Sequence, residues 1–164
     1  MIEIIKIPDK RKAVLIGKKG GVRKRIEELL NVKINVGDDV SIDGDVIGVL
    51  KAKDIVMAIG RGFSPDKALA LLDEDYRLEI VSLSGKNKNA LKRIIARVIG
   101  RKGTAKKKIE IYTHTNISVY GKTIAMIGKW DNVERARKAI DMLVDGKTHQ
   151  YVFSYLKRSS REIE

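Results

Sequence analysis

The chain has 164 residues, 43% of them apolar, no cysteine and a formal net charge of +13. That length accommodates one medium domain or two small ones. The missing cysteines exclude a disulfide framework, a thiolate metal site and a cysteine nucleophile, and no apolar run approaches the length of a membrane span. The charge is unevenly placed: residues 1–75 hold 14 Lys/Arg against 13 Asp/Glu, whereas residues 76–164 hold 20 against 8. A uniformly basic composition would not segregate in this way, and a polyanionic partner is the expectation.

In chain order, Ile2–Ile7 predicts a strand ended by the turn former Pro8-Asp9. The opening residues have neither the basic head nor the long apolar core of a signal peptide, and with the absence of cysteine a cytoplasmic setting is expected. Lys12–Ile16 predicts a short helix reaching Gly17. A second helix is expected over Gly21–Leu30, with Val22, Ile26, Leu29 and Leu30 on one face. Val32–Val36 alternates as a half-buried strand. Val40–Ile42, a turn at Asp43-Gly44 and Val46–Leu50 predict a hairpin. A helix follows, interrupted near Gly60–Gly62, and Ser64-Pro65 predicts an N-cap and first-turn proline opening a helix over 66–72.

The second half repeats the order. Arg77–Leu83 predicts a strand, Lys88–Ile99 and Thr104–Tyr112 two helices, and Ile117–Tyr120 and Thr123–Gly128 strands paired around Gly121-Lys122. Asp131 is the expected cap of a helix to about Val144, whose inner stripe is Val133, Ala136, Ile140 and Leu143. A helical, aromatic tail without counterpart in the first half follows Gly146. The duplication is visible directly: shifted by 83 residues, Ala13–Val36 lies over Ala96–Val119 without a gap, with ten of 24 positions identical. Two duplicated small domains explain this better than a solenoid, whose repeats are shorter and more numerous.

Each copy therefore reads strand–helix–GxxG–helix–strand–strand–helix, with Gly17-Lys18-Lys19-Gly20 and Gly100-Arg101-Lys102-Gly103 joining the first two helices. A lone GxxG is common. One with two basic central residues, an isoleucine before it and this element order, occurring twice, is specific, and it resembles the type I KH domain. Glycine permits the strained turn and a close backbone approach. The helix that follows turns free N–H groups and its positive dipole end outward. Lys18, Lys19, Arg101 and Lys102 add mobile charge, so the loop suits a sugar-phosphate backbone, of which KH modules hold about four nucleotides. Arg23 and Lys24, and Lys106 and Lys107, lie one turn further on, where they reach the same backbone or form a solvated helix face. The resemblance implies a groove for single-stranded bases between the second helix and second strand, flanked by Ile34 and Val36 or by Ile117 and Val119. It also implies that backbone groups of that strand read base edges. The fold class implied is α+β: tandem KH domains over 1–75 and 76–146, each a three-stranded sheet on helices, with a helical tail over 147–164.

The second copy carries more than the generic pattern. The stretches RVIGRKGTAKKKIE and TNISVYGKTIAMIGKWDNVERARKAIDMLVDGK, and the tail HQYVFSYLKR, resemble the partner-of-Nob (Pno/Dim-type) ribosome-assembly factors. Those are two-KH proteins that bind precursor small-subunit ribosomal RNA near its 3′ end. The partners implied are that RNA region, the pre-ribosomal particle and a Nob-type endonuclease that trims the end. Eukaryotic members have lost the first GxxG; its presence here fits an archaeal-type member. The near-zero charge of the first module points to the second as the main clamp.

Other features take plainer readings. Asp38, Asp39, Asp43 and Asp45 suit a solvated hairpin better than a cation site. His114 and His149 belong to no ligand cluster. Trp130 is expected to pack rather than stack on bases. Tyr151, Phe153 and Tyr155 either pack on the second module or offer a partner surface. Neither a Ser/His/Asp grouping, nor a carboxylate pair in a plausible cleft, nor a nucleotide-binding P-loop is present, so no enzyme activity, cofactor, metal or small-molecule substrate is expected. The competing readings are a KH subunit of an RNA-degrading exosome, which usually adds an S1-type barrel, a metal-dependent nuclease built on the residue 38–45 turn, and a DNA-binding regulator.

Overall fold

The structure, a computed structural model, describes residues 1–163, with side chains through residue 160. The remainder of the expected tail lies outside the described residues. The chain divides into two compact units, Met1–Glu74 and Asp75–Glu164.

In the first unit, β1 (Ile2–Ile5) leads into α1 (Asp9–Ile16), then the loop, α2 (Gly21–Leu30), β2 (Val32–Val36), β3 (Val40–Gly44), α3 (Val46–Gly60) and the short α4 (Pro65–Ala68). The sheet is antiparallel in the order β1-β3-β2, so the inner strand is β3 and β2 forms an edge. The core lies between this sheet and the helices, around Leu15, Ile26, Ile34, Ile42, Ile55 and Ile59.

Several expectations need correction. Helix α1 starts at Asp9, not Lys12: Pro8 is its cap residue, and Asp9 in the first turn pairs with Lys12 at 2.7 Å. The predicted strand Val46–Leu50 is the first turn of α3, and the hairpin is β2–β3, closing at Val36 opposite Val40. The β-branched run favours a strand locally, but Val49, Ala52, Val56 and Ile59 recur at helical spacing and are all fully buried. Gly48 permits the packing, since a Cβ there would stand 2.6 Å from the Leu30 carbonyl oxygen. Leu29, expected on the inner face, is 52% exposed. Ser64 caps α4 as expected, accepting from the Lys67 N–H.

The second unit contains β4 (Tyr76–Ser82), α5 (Lys88–Ile99), the loop, α6 (Thr104–Thr113), β5 (Asn116–Tyr120), β6 (Thr123–Lys129), α7 (Trp130–Val144) and α8 (His149–Ile163). Its sheet order is β4-β6-β5, the same arrangement with β5 at an edge. Asn87 caps α5, accepting from Ala90 N–H at 2.8 Å. Lys129, not Asp131, occupies the cap position of α7, and Asp131 sits in its first turn. Trp130 is 58% exposed rather than packed, with the Arg77 guanidinium 4.9 Å from its ring centre. The inner stripe of α7 is as the periodicity predicts, with Val133, Ala136, Ile140 and Leu143 all fully buried.

Helix α8 docks on α6 and α7. Its buried stripe is Val152 and Leu156, each 0% exposed, worth about 2 kcal/mol apiece. Phe153 and Tyr155 pack partly on the same core, and Tyr151 stays outside. Further along the same face, α8 is held by Arg135. Its guanidinium is buried and donates to Ser159 Oγ at 3.1 Å, to Ser160 Oγ at 2.7 Å and to the Tyr112 carbonyl at 2.8 Å. The start of the helix is fastened by His149, whose Nε2 lies 2.8 Å from the Arg97 carbonyl, and by Arg97, which donates to the Lys147 carbonyl.

Arg135→Ala is expected to destabilise the second unit by about 2–3 kcal/mol, because three hydrogen bonds to a charged group are lost. Urea denaturation measures the loss. Hydrogen exchange at the amides of residues 152–159 should quicken beyond that of α5; equal rates in both helices would mean that Arg135 does not hold α8.

Candidate nucleic-acid interface

The two loops have nearly superimposable backbones. Gly17 and Gly100 both have φ 75° and ψ 177°, Lys19 and Lys102 both have φ 55°, and Gly20 and Gly103 have φ 73° and 75°. In each, the first glycine's N–H closes the preceding helix at 2.9 Å, onto Ala13 or Ala96, and its carbonyl accepts from the second glycine at 3.2 Å. The two glycines are required for different reasons. A Cβ on Gly100 would stand 2.6 Å from the Ala105 Cβ, and one on Gly17 2.4 Å from Val22 Cγ2, so steric exclusion adds to the positive φ. Around Gly103 there is open space, and only its left-handed backbone favours glycine. A left-handed lysine in each loop is strain of the kind that gathers at ligand sites.

The loops project their charge. Lys18, Lys19, Arg101 and Lys102 are all exposed. Helices α2 and α6 begin at a glycine with no side-chain cap, which leaves first-turn N–H groups for an anion. Lys24 and Lys107 are exposed one turn on, and the Lys24 side chain reaches back toward Gly20.

The groove side departs from the expectation. Ile34 and Ile117 are 1% and 3% exposed, so their side chains belong to the core; Val36 and Val119 are only half-buried. What Ile34 and Ile117 offer the groove is backbone, and that backbone is engaged. Glu27 Oε2 accepts from Ile34 N–H, and Glu110 Oε2 from Ile117 N–H, each at 2.9 Å. Each glutamate also faces a cation one turn earlier on its helix, Arg23 at 3.8 Å and Lys106 at 3.3 Å. Arg23 and Lys106 therefore sit on the edge-strand side of their helices, whereas Lys24 and Lys107 face solvent. Each module thus places a cation, a carboxylate that can only accept, and an edge-strand N–H in one line beside its loop. Sequence reasoning assigned the glutamates no role, although Glu27 and Glu110 stand in register across the repeat. Their identity at a partly buried helical position was the available signal.

Asp38, Asp39, Asp43 and Asp45 are exposed, and among the described residues no group of three or more His, Cys, Asp or Glu could hold a metal ion. No helix among them is long and apolar enough to cross a membrane.

Comparison with known proteins extends the picture. Residues 76–161 match the eukaryotic-type KH domain (KH-domain type I) of the PNO1 second-domain class, and residues 2–58 match the KH domain. A KH domain-containing protein of Methanocaldococcus jannaschii is 42% identical over 172 residues, covering 99% of this chain and 76% of that protein. The pre-rRNA-processing protein PNO1 of Chaetomium thermophilum is 36% identical over 110 residues, 63% of this chain and 42% of its own length. The chain spans about half the length of the eukaryotic relatives it matches. The crystal structure of an a/eIF2alpha–aDim2p–rRNA complex from Pyrococcus horikoshii contains a chain that superposes with a TM-score of 0.92. It is 44% identical, covering 99% of this chain and 95% of that one.

Gly103→Ala is expected to cost about 1–2 kcal/mol, the left-handed penalty alone. Gly100→Ala should cost about 3 kcal/mol or more, since overpacking against Ala105 is added. Denaturant titration of the two variants tests the difference, and equal losses would refute the steric argument. Glu110→Ala should cost about 1 kcal/mol for the exposed end of β5, with Glu110→Gln restoring most of it.

Proposed function

The chain belongs to the PNO1/Dim2-type family of tandem KH proteins, and on that premise we propose that it binds single-stranded ribosomal RNA during small-subunit maturation. The target is the region near the 3′ end of the small-subunit RNA within the pre-ribosomal particle, and the bound end is presented to, or shielded from, a Nob-type endonuclease. The protein acts as a binding and placement factor and leaves the chemistry to its partner. The observation that carries the reading is the pair of GxxG loops with matching backbone geometry, each opening an uncapped helix beneath exposed cations.

The division of labour follows from charge. Phosphate contacts supply affinity and salt dependence, and groove contacts supply sequence preference. The second module, with 20 Lys/Arg against 8 Asp/Glu over residues 76–164, is the main clamp through Gly100, Arg101, Lys102, Gly103 and Lys107, with Lys106, Ile117 and Val119 on its groove side. The first module, over 1–75, contributes Gly17, Lys18, Lys19, Gly20 and Lys24, with Arg23, Ile34 and Val36 on the groove. Its near-neutral charge makes it the weaker site. Base selection falls to the edge strand together with Glu27 and Glu110, whose carboxylates favour bases that present an amino group.

The test is salt-dependent binding of a labelled RNA matching the 3′ end of small-subunit ribosomal RNA. Arg101→Asp/Lys102→Asp should lower affinity more than tenfold and reduce the salt slope by about 1.4, from two lost phosphate contacts at about 0.7 each. Lys18→Asp/Lys19→Asp should weaken binding less. Comparable losses would show that both loops hold RNA, and no loss from either pair would overturn the clamp.

A further inference from the structure

Helix α8, 15 residues long where the first unit has only the four-residue α4, changes what surrounds the second loop. A cleft of 220 Å³ opens between the GxxG loop and α8, lined by Gly100, Arg101, Thr104, Lys108, His149 and Phe153. We infer that this cleft is a further RNA subsite that takes one nucleotide adjoining those held in the groove, its base against Phe153 and its phosphate between Arg101 and Lys108. The inference rests on the RNA reading above and adds a place on the protein that the KH groove does not include.

Position carries the first part of the argument. Lys106 and Glu110 mark the groove side of α6. Thr104 and Lys108 are offset from Lys106 by two residues each way, which at about 100° per residue places them on the opposite side of the helix. The GxxG loop thus stands between the groove and the cleft. A strand whose backbone crosses the loop has the groove on one side and the α8 cleft on the other.

Chemistry carries the second part. Phe153 is half-buried, with the His149 ring stacked on it at 6.0 Å between centroids and 16° between planes. His149 is fixed by its contact with the Arg97 carbonyl, so the wall is held rigid from α5. Lys108 Nζ lies 4.8 Å from the Phe153 ring centre. Lys108 is exposed, so an entering base replaces the ammonium on the ring and leaves it free to meet the phosphate. Among the described residues no carboxylate lines the cleft. Its volume falls below the range of about 300–1,000 Å³ that holds a drug-sized ligand, which suits a single base or nucleotide. Stacking on an aromatic side chain is sequence-tolerant, so the subsite adds affinity without narrowing sequence preference.

The first unit supplies the contrast. Arg25 there occupies the repeat position of Lys108 and faces Asp66 at 4.0 Å, where the second unit places a phenylalanine before its lysine.

The experiment uses the full chain and nested synthetic RNAs from the 3′ end of small-subunit ribosomal RNA, shortened one nucleotide at a time from each end. A second series carries 2-aminopurine at successive positions. Wild type is expected to show one length step of about tenfold in affinity beyond the four-nucleotide footprint, and quenching of 2-aminopurine at that same position. Phe153→Leu, which keeps an apolar side chain, should abolish the step and the quenching. Lys108→Ala should shrink the step while the quenching remains. A four-nucleotide footprint without a further step, or a step that persists in both variants, would overturn the subsite alone. Failure of wild type to bind at any length would overturn the RNA reading and the subsite with it.

Discussion

At the first glycine of each loop the chain turns with φ 75° directly over the opening of the next helix, where a Cβ would fall within 2.4–2.6 Å of Val22 Cγ2 or Ala105 Cβ. This contact between a missing side chain and a helix start sets the angle between α1 and α2, and between α5 and α6. Beside the turn, Leu15 and Ile26, and Val98 and Ile109, are buried in their cores. The loop's two cations stand outside the core, the second of each pair, Lys19 or Lys102, on left-handed backbone. The binding apparatus and the fold are thus specified by one steric constraint, which explains why the two loops agree in dihedral angle to within about two degrees while the residues around them differ.

Behind the loops, each module solves an edge-strand problem. An outer strand leaves N–H groups unpaired, and such groups attract any strand that can add to them. Glu27 and Glu110 occupy one of these N–H groups from the neighbouring helix. The carboxylate is held by a cation on its own helix, so the edge is blunted without a bulge or proline. The same carboxylate gives the groove an acceptor.

Much of this was legible in the residues. The 83-residue shift, both glycine pairs and their basic centres are visible by eye, and α5 begins and ends where its pattern places it. Three kinds of feature were not. Val46–Leu50 carries a β-rich composition, and only the longer period through Ile59 reveals a helix. Ile34 and Ile117 are expected beside the groove from the KH resemblance, and the structure buries both side chains in the core behind strands paired to β3 and β6. For the tail's aromatics the sequence leaves packing and a partner surface both open; Phe153 and Tyr155 pack partly on the core, but the docking stripe is the less conspicuous Val152 and Leu156, at helical spacing. In each case the missing information was tertiary: a partner surface that local pattern does not contain.

The buried guanidinium of Arg135 has a consequence for how the second module is made. Its acceptors outside its own helix are the Tyr112 carbonyl, 23 residues earlier, and the Ser159 and Ser160 hydroxyls, 24 and 25 residues later. Until the ribosome has delivered the segment through Ser160, this charge lacks those hydroxyls and the surface that receives Val152 and Leu156 lies open to water. The sheet and the first two helices of the module are synthesised before it can close. A nascent chain paused in that interval exposes an apolar seam beside a strongly cationic loop, a state prone to premature association. Docking of α8 covers that seam, so folding of the second unit depends on a helix that lies beyond the repeated elements.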